Sequence, residues 1–203
     1  MASPRFPDCT GALVAGGRAT RMAGVPKGLL HVAGEPIAAR TLRIFGALFG
    51  ASLVVANDPS PYAALGVPAV GDRFPGKGAP GGVHAALAAA TTPFVFTAAC
   101  DMPFLSEDAV AWLVARRGGA RAVVVRFRGR LEPLHAVWSR ECLPVIEAAL
   151  RAGDPSLQEL ARAVSPRVVE EEEWRAIDPA GRSLENANTP EDARRLGLEP
   201  DGR

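Results

Sequence analysis

Short runs of valine, alanine, leucine and phenylalanine recur along this chain, and between them lie longer stretches in which apolar residues return every three or four positions. The first pattern is that of strands buried on both faces and the second that of amphipathic helices. It predicts strands at residues 10–15, 53–56, 94–98 and 122–127, and helices at 37–49, 82–90, 106–117, 140–152, 156–164 and 190–196. Start signals support two of the helices. Ser106 precedes the acidic pair Glu107 and Asp108, and Thr189-Pro190-Glu191-Asp192 places a cap, a first-turn proline and first-turn acids in order.

Strands alternating with helices predict a three-layer α/β/α, Rossmann-like domain with a mostly parallel sheet and right-handed crossovers. "RFRGRLEPLHAVW" breaks the alternation: Phe127 and Leu131 flank a glycine turn, so a hairpin should carry a later antiparallel strand into the sheet. We expect one domain over residues 1–203, with a core of about 9–197 and frayed ends, "LEPDGR" among them. The charge run "VEEEEWRAIDP" reads as a solvated surface.

Composition narrows the partners. The 23 basic residues nearly balance 22 acidic ones, which argues against a broad nucleic-acid surface and leaves room for a local basic pocket. Cys9, Cys100 and Cys142 form no CxxC pair, so neither a disulfide framework nor a zinc ribbon is suggested. No run of about 18 apolar residues occurs, and the first residues are too short in apolar content for a signal peptide. A cytoplasmic chain without membrane attachment is expected.

In open α/β sheets ligands bind beyond the carboxyl ends of the strands, so the chemistry should lie in the loops that follow them. "GGRATR" follows the first strand: Gly16 and Gly17 let backbone N–H groups approach an anion, and Arg18, Arg21 and Lys27 can neutralise phosphate. The loop matches neither GxxxxGK[ST] nor GxGxxG. Taken alone it is also compatible with a glycine turn carrying solvated cations. Asp101, ahead of Met102-Pro103, is a hard ligand suited to magnesium, with helix capping as the alternative. Asn57 and Asp72 end two further runs, where they could grip a base or ribose, although Asn57-Asp58-Pro59 is equally a turn. "GKGAPGGVHAAL" is a second glycine-rich loop opening a helix, with Lys77 beside it. Asn186 and Asn188 precede the last helix, placed either to bind a ligand or to support the turn. His31, His84 and His135 show no metal spacing, and no Ser-His-acid set is recognisable.

"LVAGGRATRMAGVPKGLL" resembles the N-terminal signature of nucleotidyltransferases that attach a nucleoside monophosphate to a phosphorylated acceptor, specifically the molybdenum cofactor guanylyltransferases. "GAPGGVHAAL", "AACDMPFL", "LEPLHAVW" and "ENANTPEDARRL" agree in order, so the resemblance runs from residue 13 to 196. It implies transfer of GMP from Mg-GTP to the phosphate of molybdopterin, with release of pyrophosphate and with manganese as an alternative metal. By position, Val14, Ala15, Gly16 and Gly17 would approach the nucleotide through their backbone, Lys27 and Arg21 would act on the phosphates, and Asp101 would hold the metal. Asp72 would lie by the nucleoside, and Asn57 transfers only with a shift of register. Asn186 and Asn188, with the "LEPLHAVW" strand, would line the pterin side. Molybdoenzyme apoproteins or other cofactor-biosynthesis proteins are implied partners.

Relatives that use CTP tend to read "LAAG", so the double glycine favours guanine. The chain departs from the pattern at Ala23, at Pro26 and in "GAPGG". The alternatives are a molybdopterin cytidylyltransferase, a sugar-phosphate nucleotidyltransferase, or a non-catalytic domain that delivers cofactor.

Overall fold

The computed structural model of this chain describes residues 5–15, 21, 22 and 24–200, with the side chains of Arg21 and Met22 excepted. Seven strands make the main sheet: β1 (Phe6–Val14), β2 (Phe49–Val55), β3 (Ala69–Val70), β4 (Phe94–Ala99), β5 (Ala122–Phe127), β6 (Arg130–Ser139) and β7 (Arg167–Val169). Their order is β7-β5-β6-β4-β1-β2-β3. Every pairing is parallel except those of β6, which runs antiparallel to both β4 and β5. The expected mostly parallel α/β fold with one late antiparallel strand is therefore found. The hairpin turns at Arg128 and Gly129, both with positive φ, which keeps the start of β6 at the carboxyl edge of its neighbours.

The period of two along the strands builds two cores. Leu13, Val54, Phe96 and Val123 face one side, where α1 (Ile37–Leu48) packs Phe45 and Leu48 and α3 (Glu107–Val114) packs Val110 and Leu113. Ala12, Val55, Val95 and Val124 face the other, against α2 (Ala79–Ala89), α4 (Leu143–Ala152) and α5 (Leu157–Ala163). A third, smaller cluster joins Leu30, Val32 and Ile37 to Ala187, Ala193 and Leu198, and so clamps the C-terminal segment onto the chain after Lys27.

Four segments differ from the expectations. The strands β3 and β7, two and three residues long, are too short to leave a period in the sequence. The charge run holds a helix, α6 (Glu171–Arg175), whose Trp174 is wholly buried between Trp112 and His135; its glutamates supply the outer face of that helix, so the segment is not simply a solvated surface. The C-terminal stretch is anchored at its start, because His31 and Glu199 exchange two backbone hydrogen bonds of 2.8 and 3.0 Å beside buried Leu198. A last helix, α7 (Pro190–Arg195), opens with the capping box of Thr189 and Asp192 that its sequence announces. Among the described residues no helix is long and apolar enough to cross a membrane.

Candidate active site

Lys27 begins a short 3₁₀ turn after the first loop and is buried, with 5% of its surface exposed. The turn is pressed inward because Gly28 has no side chain: a Cβ there would lie 3.1–3.2 Å from Tyr62 and Cys100. A buried ammonium requires partners, and among the described residues Lys27 has two. Its Nζ donates to Asp101 Oδ2 at 3.0 Å and to Asn188 Oδ1 at 3.0 Å. Asp101 follows β4, and its carbonyl accepts the Ala187 amide at 2.9 Å, which brings the Asn186–Asn188 stretch over the end of the strand. The capping box at Thr189 then fixes where Asn188 points the chain, since the Asn188 amide also donates to Asp192. Three residues far apart in sequence thus form one charge-compensated cluster at the carboxyl edge, with the Lys27 ammonium buried beneath the partly exposed Asp101 and the exposed Asn188. Cys100 beside them is a packing group: burial, with the Asp101 charge adding to it, pushes its thiol up to about 12.

On one side of this cluster lie β1, β2 and β3. The Val14 carbonyl accepts from Cys100 N at 3.1 Å, and Ala15 N donates to the Val55 carbonyl at 2.8 Å, so these main-chain groups fix the point at which the first loop leaves the sheet. Asn57 Oδ1 accepts the Asp72 amide at 2.9 Å, joining the loops after β2 and β3. The Asp72 carboxylate accepts the Phe74 amide at 2.7 Å and lies against the first turn of α2, where a Cβ on Gly81 would come within 2.3 Å of it. Burial raises the pKa of Asp72, opposed by the Phe74 amide and the nearby His84. Lys77 faces elsewhere, donating to the Gly153 carbonyl at 2.8 Å and to the Asp154 carboxylate at the end of α4.

On the other side lie two adjoining cavities of about 480 and 420 Å³. Asp101 lines the first and Phe127, Gly181 and Arg195 the second, while Arg130, Glu132, Asn186 and Asn188 line both. Asn186 Oδ1 is buried there without a hydrogen-bond partner among the described residues. Burial pushes the Glu132 carboxyl up to about 7, against the opposing charge of Arg130.

Among the described residues no cluster of three or more His, Cys, Asp or Glu could hold a metal ion by itself. Asp101, with one carboxylate oxygen on Lys27, fits the role of a lone protein ligand to magnesium, which is usually held by one or two carboxylates together with substrate phosphates and water.

The MobA-like NTP transferase domain family matches residues 11–169. The chain belongs to this family. Among MobA-like relatives, the molybdenum cofactor guanylyltransferase of Syntrophotalea carbinolica is 33% identical over 182 residues, covering 89% of this chain and 86% of its own length. That of Pseudomonas putida is 35% identical over 191 residues, covering 92% and 96%. The structure of molybdopterin-guanine dinucleotide biosynthesis protein A from Archaeoglobus fulgidus superposes with a TM-score of 0.77 at 24% identity, covering 92% and 96% of the two chains. A 2-C-methyl-D-erythritol 4-phosphate cytidylyltransferase from Thermus thermophilus shares the fold at a TM-score of 0.61 and 22% identity, covering 92% of this chain and 96% of its own.

Of the site residues expected in this MobA-like chain, Lys27, Asp101 and Asn188 meet directly, Asn186 lines the same cavity as Asp101, and Asn57 meets Asp72. Gly16, Gly17 and Arg18 lie outside the described residues, as does the side chain of Arg21, whose backbone pairs with Pro26. Sequence reasoning places the "LEPLHAVW" strand on the pterin side but singles out neither Glu132 within it nor Tyr62. The first had a signal, a carboxylate inside the otherwise apolar run "LEPLHAVW"; the second, packed under Gly28, had none.

Proposed function

We propose that this chain transfers GMP from GTP to the phosphate of molybdopterin, forming molybdopterin guanine dinucleotide and releasing pyrophosphate. The observation that carries the reading is the Lys27–Asp101–Asn188 cluster, which stands between the loops after β1–β3 and a roomy cleft at β6. Curated relatives named molybdenum cofactor guanylyltransferase, matched over most of both chains, support the same assignment.

The acceptor phosphate and the triphosphate repel each other, so the site must offset charge before anything else. Lys27 has three N–H donors, of which, among the described residues, Asp101 and Asn188 take two, and the third would serve a phosphate oxygen. Asp101 would hold magnesium, which when bound supplies further neutralisation of the triphosphate. An acceptor phosphate oxygen bonds to the α-phosphorus while the bond to the bridging oxygen breaks and pyrophosphate leaves. A phosphate has a second pKa of about 6 and needs no base to attack near neutrality, so positioning and charge stabilisation suffice. Val14, Ala15, Gly16, Gly17, Asn57 and Asp72 serve the nucleotide, and Arg21 serves its phosphates. Asn186 and Asn188 serve the pterin. The whole chain acts as one nucleotidyltransferase domain in the cytoplasm and hands its product to molybdoenzyme apoproteins or their assembly partners.

The test is to incubate the purified chain with molybdenum-loaded molybdopterin, Mg²⁺, and GTP, CTP or ATP in turn, following pyrophosphate and dinucleotide. Consumption of GTP alone is expected. Equal turnover of CTP overturns the guanine assignment, and no turnover with any nucleotide overturns the reaction.

A further inference from the structure

Glu132 costs the fold something and returns nothing to it. Its carboxyl is half-buried and accepts no hydrogen bond among the described residues, and burial outweighs the opposing charge of Arg130. It stands on β6 where the pairing with β5 loses its register between Leu131 and Ala136, so the strand is irregular at this point and the sheet does not dictate where the side chain goes. Both cavities beyond Asp101 open onto it, and Asn186, with its buried and unpartnered Oδ1, lines the same two cavities. Two acceptor groups without donors describe a site whose ligand must bring the donors.

We infer that Glu132 is a specificity-determining residue for the acceptor: its carboxylate takes the paired N–H donors, ring N–H and exocyclic amine, of a 2-amino-4-oxopteridine ring lying in the cleft beyond Asp101. The inference rests on the pterin acceptor proposed above. A carboxylate offers two oxygens side by side and so matches two adjacent donors, as it matches a guanidinium. Asn186 Oδ1 is a third acceptor for a ring N–H elsewhere on the heterocycle. The guanine base carries a similar donor edge, but in the reading proposed above it lies with the Asn57–Asp72 loops beyond β2 and β3, and β4 and β1 stand between those loops and Glu132 on β6. A carboxyl poised near neutrality is converted fully to the carboxylate once donors reach it.

The discriminating probes are two free pteridines competing with molybdopterin in the wild-type chain. Pterin, with the 2-amino group, should compete at least about 10-fold better than lumazine, in which a carbonyl replaces that amine, because a site built for a donor rejects the analogue lacking it. Glu132→Gln keeps the volume but sets an amide N–H₂ against the ligand's donors. It should erase the pterin–lumazine preference and raise the KM for molybdopterin about 10-fold or more, with the KM for GTP within about 2-fold of wild type. Equal competition by the two pteridines in the wild-type chain, a wild-type molybdopterin KM in Glu132→Gln, or a rise in the GTP KM instead would overturn the assignment. A wild-type chain that makes no dinucleotide is a separate result: it refutes the reaction, whereas dinucleotide synthesis without pteridine discrimination refutes only the role of Glu132.

Discussion

Lys27 and Asp101 hold each other in a place where neither would be tolerated alone. Their side chains are 6% and 16% exposed, and removing one member of such a pair leaves an uncompensated buried charge at a cost of about 3 kcal/mol. Lys27→Ala should therefore lower the thermal midpoint and reduce turnover by about 10²-fold or more, the scale of losing one preorganised charge contact. Asp101→Ala should abolish dinucleotide formation, and a purified, folded Asp101→Ala enzyme with near-normal activity in Mg²⁺ would refute its role as metal ligand. Glu132 carries a different signature, visible in stability against pH. Its carboxyl stands at about 7 in the fold against 4.5 as the ordinary value. Between those limits the folded chain keeps a proton that the unfolded chain releases, so stability is full below pH 4.5 and declines as pH rises through 7. Glu132→Gln stays neutral and escapes the decline. After allowing for solvent screening, it should be more stable than wild type by about 1 kcal/mol at pH 8, with the difference shrinking toward pH 4.5. Denaturant melts at the two pH values measure this, and a variant less stable than wild type at pH 8 contradicts the burial of the charged form.

The strands and helices explain how such residues are brought to one edge, and a glycine controls one of the tightest contacts. Gly11 in β1 lets α1 sit against the sheet: a Cβ there would come within 2.5 Å of the Phe45 ring and 2.8 Å of Phe49. Those rings are packed on each other, with centroids 5.5 Å apart, and each on Phe96 at 5.9 Å. Gly11→Ala should then cost about 1–3 kcal/mol, read as a lower denaturant midpoint at unchanged m. Elements of this size were legible in the sequence. The apolar runs β4 and β5 and the 3.6-residue repeat of α1 and α4 are strong periodic signals, and Ser106 and Thr189 mark helix starts with side chains that do cap them. What escaped had no period to read: two short strands at the sheet edges, and a five-residue helix whose four glutamate neighbours masked the buried Trp174.

Across the whole molecule the chemistry was legible by residue type, and its assembly was not. Lys27, Asp101 and Asn188 each stand out in the sequence, yet nothing in it says that contacts spanning 74 and 161 residues close on one ammonium. Glu132 went unnoticed because a single carboxylate in an apolar run acquires meaning only when two cavities open onto it. The closure depends on the third hydrophobic cluster, which holds the segment bearing Asn186 and Asn188 against Leu30, Val32 and Ile37. Leu198, 7% exposed, lies at the far end of that clamp, next to the His31–Glu199 backbone pair. Leu198→Ala removes apolar contact from a small cluster, at about 2 kcal/mol. The loss falls on the C-terminal segment rather than on the two main cores, so it should appear as local opening before global unfolding. The amides of His31, Ala187 and Glu199 should lose hydrogen-exchange protection together, while those of β1 and β4 keep theirs. Because Asn188 and Asn186 travel with this segment and Asn57 and Asp72 do not, the KM for molybdopterin should rise several-fold and that for GTP should hold. Uniform loss of protection across the sheet, or parallel changes in both KM values, would show instead that the C-terminal segment and the sheet open as one unit.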